Sequence, residues 1–337
     1  MDLTRLEEIL KSQPAYRLKQ ANEAIFVRLA DSWNQVSNLP KDLREVLEKD
    51  CPLNIEAKIF WAKDKTSAKA AITLNDGNII ESVLMHHADN HNTVCVSCAV
   101  GCLMNCQFCA TGALGFKRNL KAEEIIQQVI LFNRILKTES ERVNNVVFMG
   151  MGEPFLNYDE VLAAIRLIND KDKFNIGARR ISISTVGIIE SINKLAKENL
   201  QVNLAISLHA PTDQLRNQII PANHKYPIKN LLKAVSNYIK LTNRRVMIEY
   251  LMLQNFNDSP KDARELAKIL KNNLHRLFFV NLIAYNPTGE FAPTTPKQIK
   301  SFKEILEKEG ISVVQRYRFG LDIDGACGQL TGKNIII

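Results

Sequence analysis

The residues best spaced for chemistry are Cys102, Cys106 and Cys109, a CxxxCxxC run directly behind Gly101. Three thiolates from one loop can hold three irons of a four-iron, four-sulfur cubane and leave the fourth iron open to another ligand. A structural zinc site is the alternative, with Cys98 as a fourth thiolate. Zinc sites, however, usually pair two knuckles far apart in sequence. Five of the seven cysteines lie between 95 and 109. A disulfide framework would spread them to staple distant loops, so this crowding points to metal or redox chemistry in a reducing compartment. Cys51 and Cys327 stand alone. Cys51 reads as a buried free thiol. Cys327 lies among Gly325, Ala326 and Gly328, a small and flexible setting that suits a reactive thiol, although a lone Cys is more often inert.

The elements that must position these residues read as alternating strands and helices from residue 92 onward. Strands are expected at 92–98, 146–150, 180–185, 201–208, 245–253 and 278–284, and helices at 121–137, 158–169, 188–199, 228–242, 260–273 and 296–309. Six βα units imply an α/β fold with a parallel sheet and right-handed crossovers, and they are too few for an eight-stranded barrel. A doubly wound open sheet fits the same alternation, but no GxGxxG loop follows a strand, which argues against a nicotinamide cofactor. Before this core, residues 1–50 read as helices, and 51–91 as a small antiparallel linker element with a hairpin turn at Asn75-Asp-Gly77. The core runs over 92–320, and a glycine-rich tail over 321–337 carries Cys327. Gly152 and Glu153 follow the second expected strand. Ser184, Ser207, Leu208, His209 and Asn286 fall at the ends of three others, where a barrel gathers its site.

Lys and Arg exceed Asp and Glu by 44 to 36, a net charge of +8 that favours a polyanionic partner without requiring one. No apolar run is long enough to span a bilayer, and the charged start lacks the apolar core of a signal peptide. The expectation is therefore a cytoplasmic protein with no membrane contact, and nothing demands more than a monomer.

Phe108, immediately before Cys109, completes a pattern that resembles the signature of the radical S-adenosylmethionine (SAM) superfamily. A narrower resemblance runs through nearly the whole chain. Cys95-Val-Ser-Cys-Ala-Val-Gly-Cys102, Met149-Gly-Met-Gly-Glu-Pro154, Ser207-Leu-His209, Tyr285-Asn-Pro287 and Asp322-Ile-Asp-Gly-Ala-Cys-Gly-Gln-Leu330 are similar to the RlmN/Cfr family of RNA adenosine methyltransferases. The resemblance implies a partial (β/α)6 barrel, a 4Fe–4S cluster on Cys102, Cys106 and Cys109, and SAM held by Gly152, Glu153, Ser184, Ser207, Leu208, His209 and Asn286. It implies two SAM molecules per turnover. The first methylates Cys327; the second yields a radical that activates the new S-methyl group for addition to adenine. Cys95 would then resolve the RNA–protein adduct through a disulfide with Cys327, and Glu81 would remove the ring proton as general base. The implied substrates are 23S rRNA and some tRNAs, with a flavodoxin-type electron donor. Lys117, Arg118 and the basic helices with Tyr16, Arg17, Lys19 and Arg44 would touch phosphate. Gly-Glu-Pro followed by Phe155-Leu-Asn-Tyr-Asp159 leans to methylation of adenine carbon 2. Ala110-Thr-Gly112 and Gly320-Leu-Asp-Ile-Asp324 lean to carbon 8, as in Cfr-like resistance enzymes. Cys98 stands where the family commonly has Ser, making a Cys95-x-x-Cys98 pair that is either inert or open to an off-pathway disulfide.

Overall fold

The structure of the protein, a computed structural model, describes residues 1–332; the end of the expected tail, 333–337, lies outside the described residues. Three helices open the chain, α1 (Leu3–Leu10), α2 (Tyr16–Asn22) and α3 (Lys41–Asp50). Their apolar positions recur at helical spacing and turn inward, with Leu6, Leu10, Ala21, Leu43 and Leu47 buried. They surround Trp33, which is fully buried and donates from Nε1 to the Cys51 carbonyl at 2.7 Å. A buried indole N–H requires such a partner. Cys51 is itself buried, as a free core thiol.

Strands β1 (Ala57–Trp61), β2 (Ser67–Thr73) and β3 (Ile79–His86) form an antiparallel meander. The sequence reading treats them as a linker element. Their hydrogen bonding instead makes them part of the main sheet, because β3 pairs antiparallel with β4 (Asn92–Val96), Val83 opposite Cys95. Left alone, β4 would present an unpaired edge of N–H and C=O groups. Next comes a small hairpin, β5 (Ala99–Gly101) with β6 (Phe116–Asn119), which encloses the cysteine loop and a one-turn helix α4 (Ala110–Ala113).

The barrel then proceeds through α5 (Ala122–Lys137), β7 (Asn145–Phe148), α6 (Tyr158–Asn169), β8 (Ile181–Thr185), α7 (Ile189–Leu195) and β9 (Asn203–Ser207). It continues with α8 (Asp213–Ile219), α9 (Ile228–Thr242), β10 (Val246–Met252), α10 (Pro260–Asn273), β11 (Phe278–Ala284), α11 (Pro296–Lys308) and β12 (Val313–Gln315). The ten-stranded sheet has the order β1-β2-β3-β4-β7-β8-β9-β10-β11-β12, and every pair from β4 onward is parallel. This is the expected partial barrel with helices outside. The expected strands and helices recur with ends shifted by a few residues. The hairpin β5–β6, the one-turn α4 and helix α8 are absent from the sequence reading; β5, β6 and α4 are very short, and in α8 the buried Arg216 breaks the apolar period. One continuous hydrophobic cluster joins the N-terminal helices, the antiparallel strands and the barrel. Gln127 and Arg134 of α5 tie the helices down, donating to the carbonyls of Met1 (3.1 Å) and Leu29 (3.2 Å).

Candidate active site

The cysteine loop hangs over the carboxyl ends of the parallel strands. Cys102 N donates to Gly115 O at 2.9 Å, Cys109 N to Cys106 O at 3.1 Å and Gly112 N to Cys109 O at 3.0 Å. Gly101 is obligatory here: its φ is +79°, and a Cβ would come within 1.9 Å of the Gly115 carbonyl oxygen. The three thiols line one cavity of about 190 Å³. Burial pushes Cys102 up to about 12 and Cys106 well above the usual thiol range, so strong positive charge beside these two is needed to make them thiolates. Among the described residues no three His, Cys, Asp or Glu side chains converge on one point, as a closed zinc site demands. Three cysteines spread along one loop suit instead a cluster that offers each its own iron.

The cavity wall collects most of the expected site. Cys95, Gly152, Glu153, Ser184, Ser207, His209, Asn286 and Cys327 all line it. Gly152 has φ +101°, and a Cβ would meet Ala99 Cβ at 2.7 Å and Cys98 Sγ at 2.9 Å. Glu153 Oε1 accepts from Phe155 N (3.0 Å) and Oε2 from Val186 N (2.9 Å), while burial raises its carboxyl to about 6. A ligand ammonium at this wall would pull it back down and hold the carboxylate. His209 adopts φ +58°, and its Nδ1 accepts from Leu251 N at 3.1 Å, which places the ring proton on Nε2. Burial and Arg216 hold that imidazole neutral, at about 3. Asn286 donates to the Cys327 carbonyl at 3.0 Å, while its Oδ1 is buried without a partner, an acceptor free for an N–H of a bound ligand. These features fit SAM.

The structure places two expected residues elsewhere. The Leu208 side chain is fully buried behind the wall, and its carbonyl accepts from Arg216 Nε at 2.9 Å. Glu81 is fully buried and does not line the cavity. Its Oε1 pairs with Lys69 Nζ at 3.1 Å, and its Oε2 accepts from Thr331 N (2.6 Å) and Gly332 N (3.0 Å). As it stands, the general base implied for Glu81 is a clasp on the tail. Cys98 also points away, its thiol donating to Met151 O at 3.6 Å, while Cys95 faces the cavity; all seven cysteines are free. Arg118, expected on phosphate, is locked between Asp76 (2.6 Å) and Glu124 (2.8 Å), and Lys117 reaches Asn78. Arg17 and Arg44 donate to the carbonyls of Asn38 and Asn34, inside their own helical segment.

Several residues at or behind the wall escape sequence reasoning. Glu249 interrupts the apolar strand β10, and its carboxylate accepts from the hydroxyls of Ser184 and Ser207 and pairs with Arg316 at 3.2 Å. A lone acid within such a strand is the signal that could have found it. Arg216, fully buried, donates to the carbonyls of Leu208, Val186 and Ser207 and to Asn223 Oδ1, pinning the ends of β8 and β9. Besides its bonds to Asn286 and Glu81, the tail is fastened by further hydrogen bonds. Ala110 N donates to Gly328 O (2.8 Å), Thr111 Oγ1 to Leu330 O (2.7 Å) and Lys69 Nζ to Asp324 O (3.4 Å). Cys327 is thereby held beside the cluster loop with its surface open to the cavity.

A parallel partial barrel with such a loop at its mouth defines a class, the radical SAM enzymes, whose reactions run on a 4Fe–4S cluster and SAM. The sequence agrees: a family model described as the radical SAM superfamily matches residues 96–270. A probable dual-specificity RNA methyltransferase RlmN of Dictyoglomus thermophilum is 43% identical over 98% of this chain and 94% of its own length. A ribosomal RNA large subunit methyltransferase N of Nitrosopumilus maritimus is 41% identical over 94% of this chain and 92% of its own. A crystal structure of a radical SAM methyltransferase from Sphaerobacter thermophilus matches with a TM-score of 0.93 at 39% identity, over 99% of this chain and 98% of that one. The chain belongs to the RlmN family of radical SAM RNA methyltransferases.

Proposed function

We propose that this enzyme methylates carbon 2 of an adenosine in 23S rRNA, and the adenosine next to the anticodon in some tRNAs, with Cys327 as the methyl carrier. The observation that carries the reading is Cys327 itself. A thiol from the far end of the sequence is held in the same cavity as Cys102, Cys106 and Cys109, with Cys95 also on its wall. Adenine carbon 2 is electron-poor and cannot act as a nucleophile toward a methyl cation, so the carbon must arrive by another route.

The cluster and SAM, when bound, supply the methyl group and the radical that activates it. The chain's residues do the rest. Cys102, Cys106 and Cys109 hold the cluster, while Gly152, Glu153, Ser184, Ser207, His209 and Asn286 seat SAM. Leu208 contributes its backbone to the turn after β9. Cys327 takes the methyl group by displacement and is then joined through that carbon to the adenine. The Cys95 thiol attacks the Cys327 sulfur, the S–C bond breaks, and a Cys95–Cys327 disulfide and the methylated base result. Glu81 can take the ring proton only after Thr331 and Gly332 have released it. A flavodoxin-type protein serves as electron donor, and the enzyme acts as a cytoplasmic monomer, its N-terminal helices an accessory module. No helix among the described residues is long and apolar enough to cross a membrane.

The test is anaerobic turnover of the reconstituted enzyme with reductant, methyl-labelled SAM and unmodified 23S rRNA, followed by nucleoside mass spectrometry. Labelled 2-methyladenosine from the wild type and none from Cys327→Ala is the expected result. Labelled 8-methyladenosine would overturn the carbon assignment and keep the carrier. Product from Cys327→Ala would overturn the carrier.

A further inference from the structure

The cluster loop sits at the carboxyl end of the barrel strands. The opposite end carries a second, unassigned feature. Arg142 precedes β7, Arg179 and Arg180 precede β8, Arg244 and Arg245 precede β10, and Arg276 precedes β11, each within three residues of its strand's start. A parallel sheet puts all those starts at one end, so the arginines ring it. None of the six forms an ion pair among the described residues; Arg179, Arg244 and Arg245 donate only to neutral acceptors, Gln201, Val202, Asn203 and Phe278. Arg142, Arg180 and Arg276 are exposed and make no side-chain hydrogen bond among the described residues. The neighbouring acids are engaged: Glu141 accepts from Asn92 at 2.7 Å, and Asp170 pairs with Lys173 at 2.7 Å. Unpaired guanidiniums gathered on one face are the footprint of a phosphate backbone.

A cavity of about 280 Å³ opens inside this ring, lined by Arg179, Arg180, Asn203, His87, Tyr317 and Phe319 among others. Met85, Val147, Arg316, Tyr317 and Phe319 also line the cavity that holds Cys327, so the two spaces share a wall. Aromatic rings mark the passage. Tyr317 is 70% exposed, its ring 4.8 Å edge-to-face from Phe319, which in turn lies 5.0 Å from His87. An exposed aromatic ladder beside unpaired arginines is how proteins receive unstacked bases of single-stranded RNA.

We propose that RNA docks on this arginine-ringed face, and that the target adenosine enters from the end opposite the cluster, past Tyr317 and Phe319. The inference rests on the RNA-methylating function proposed above and locates its substrate.

The experiment uses the reconstituted holoenzyme and an RNA stem-loop with an unpaired adenosine, and measures the dissociation constant across a salt series. The triple variant Arg142→Gln/Arg180→Gln/Arg276→Gln is expected to bind at least tenfold more weakly at low salt. Its log K against log salt should flatten by about one for each phosphate no longer neutralised. Tyr317→Trp supplies a second readout: its fluorescence should be quenched by the stem-loop and not by a blunt duplex. Unchanged affinity and slope in the triple variant, with methyl transfer intact in the wild type, would overturn the docking face and leave the function standing. Weakening confined to Lys19→Gln would move docking to the N-terminal helices and overturn it too. A wild type that binds through this face and transfers no methyl would keep the face and remove the function.

Discussion

Cys327 sits where ionisation is resisted. Desolvation by the cavity walls pushes its thiol to about 11, with Arg316 pulling the other way, and Cys95 is raised to about 12 by burial and by its neighbour Cys327. Alkylation of Cys327 by iodoacetamide should therefore keep rising to about pH 11, well past an ordinary thiol, in a Cys95→Ala background read by mass spectrometry. The same shifts make folding pH-dependent. The unfolded chain ionises these thiols from about 9, while the native state does so only near 11 to 12, so the unfolded state binds fewer protons in between. Stability is whole below that window and falls as pH rises through it. Denaturant midpoints measured from pH 8 to 11 should decline less in Cys95→Ala. The Lys69–Glu81 pair gives a second residue-scale expectation. Breaking it with Glu81→Ala strands a buried ammonium and should cost about 3–5 kcal/mol, whereas Lys69→Met/Glu81→Leu should recover most of that in the same urea titration. At this scale the sequence displays what residue type alone reveals. The cysteine triad, Cys327 and Glu153 are visible in one dimension. Glu249, Arg216 and the true setting of Glu81 are not, because their meaning comes from partners many residues away.

The hairpin of β5 and β6 is the element on which the cluster depends. Gly101 and Gly115 both have positive φ, +79° and +74°, but only Gly101 is pressed against backbone; nothing lies within 4 Å of a Cβ at Gly115. Gly115→Ala should thus cost about 1–2 kcal/mol of backbone strain and still bind iron. Gly101→Ala must in addition move the Gly115 carbonyl and with it the Cys102 amide. Reconstituted iron per chain and visible absorbance should fall sharply in Gly101→Ala and little in Gly115→Ala. Elements with a clear signal are legible from sequence alone. Helix α10 announces itself by Pro260 at its first position and by Ser259 and Asp262, which form its capping box. The Asn75-Asp-Gly77 turn likewise joins β2 to β3. Helix α8 is illegible because Arg216 points inward, and a sequence pattern counts arginine as surface.

For the whole molecule, the ten-stranded sheet and the single core that joins it to the N-terminal helices predict one cooperative transition. Trp33 reports on the helices and Trp61 on the edge strand, so fluorescence melts of Trp61→Phe and Trp33→Phe should superimpose when each is scaled to far-UV dichroism. Separate midpoints would show that the helices melt alone. The barrel is legible as six alternating units. The attachment of β1–β3 to its sheet is not, since an alternating strand does not name its neighbour. That attachment changes what the tail is. After β12 the chain leaves one margin of the sheet and passes Tyr317 and Phe319. Asp322 and Asp324 then accept from Lys63 and Lys69, and the chain fastens at Glu81 on β3, toward the other margin. The thread that stitches the barrel's seam also bears Cys327. Tyr317, Phe319 and Cys327 all lie on that one thread, so a base admitted beside Tyr317 would press on the same short segment that carries the thiol.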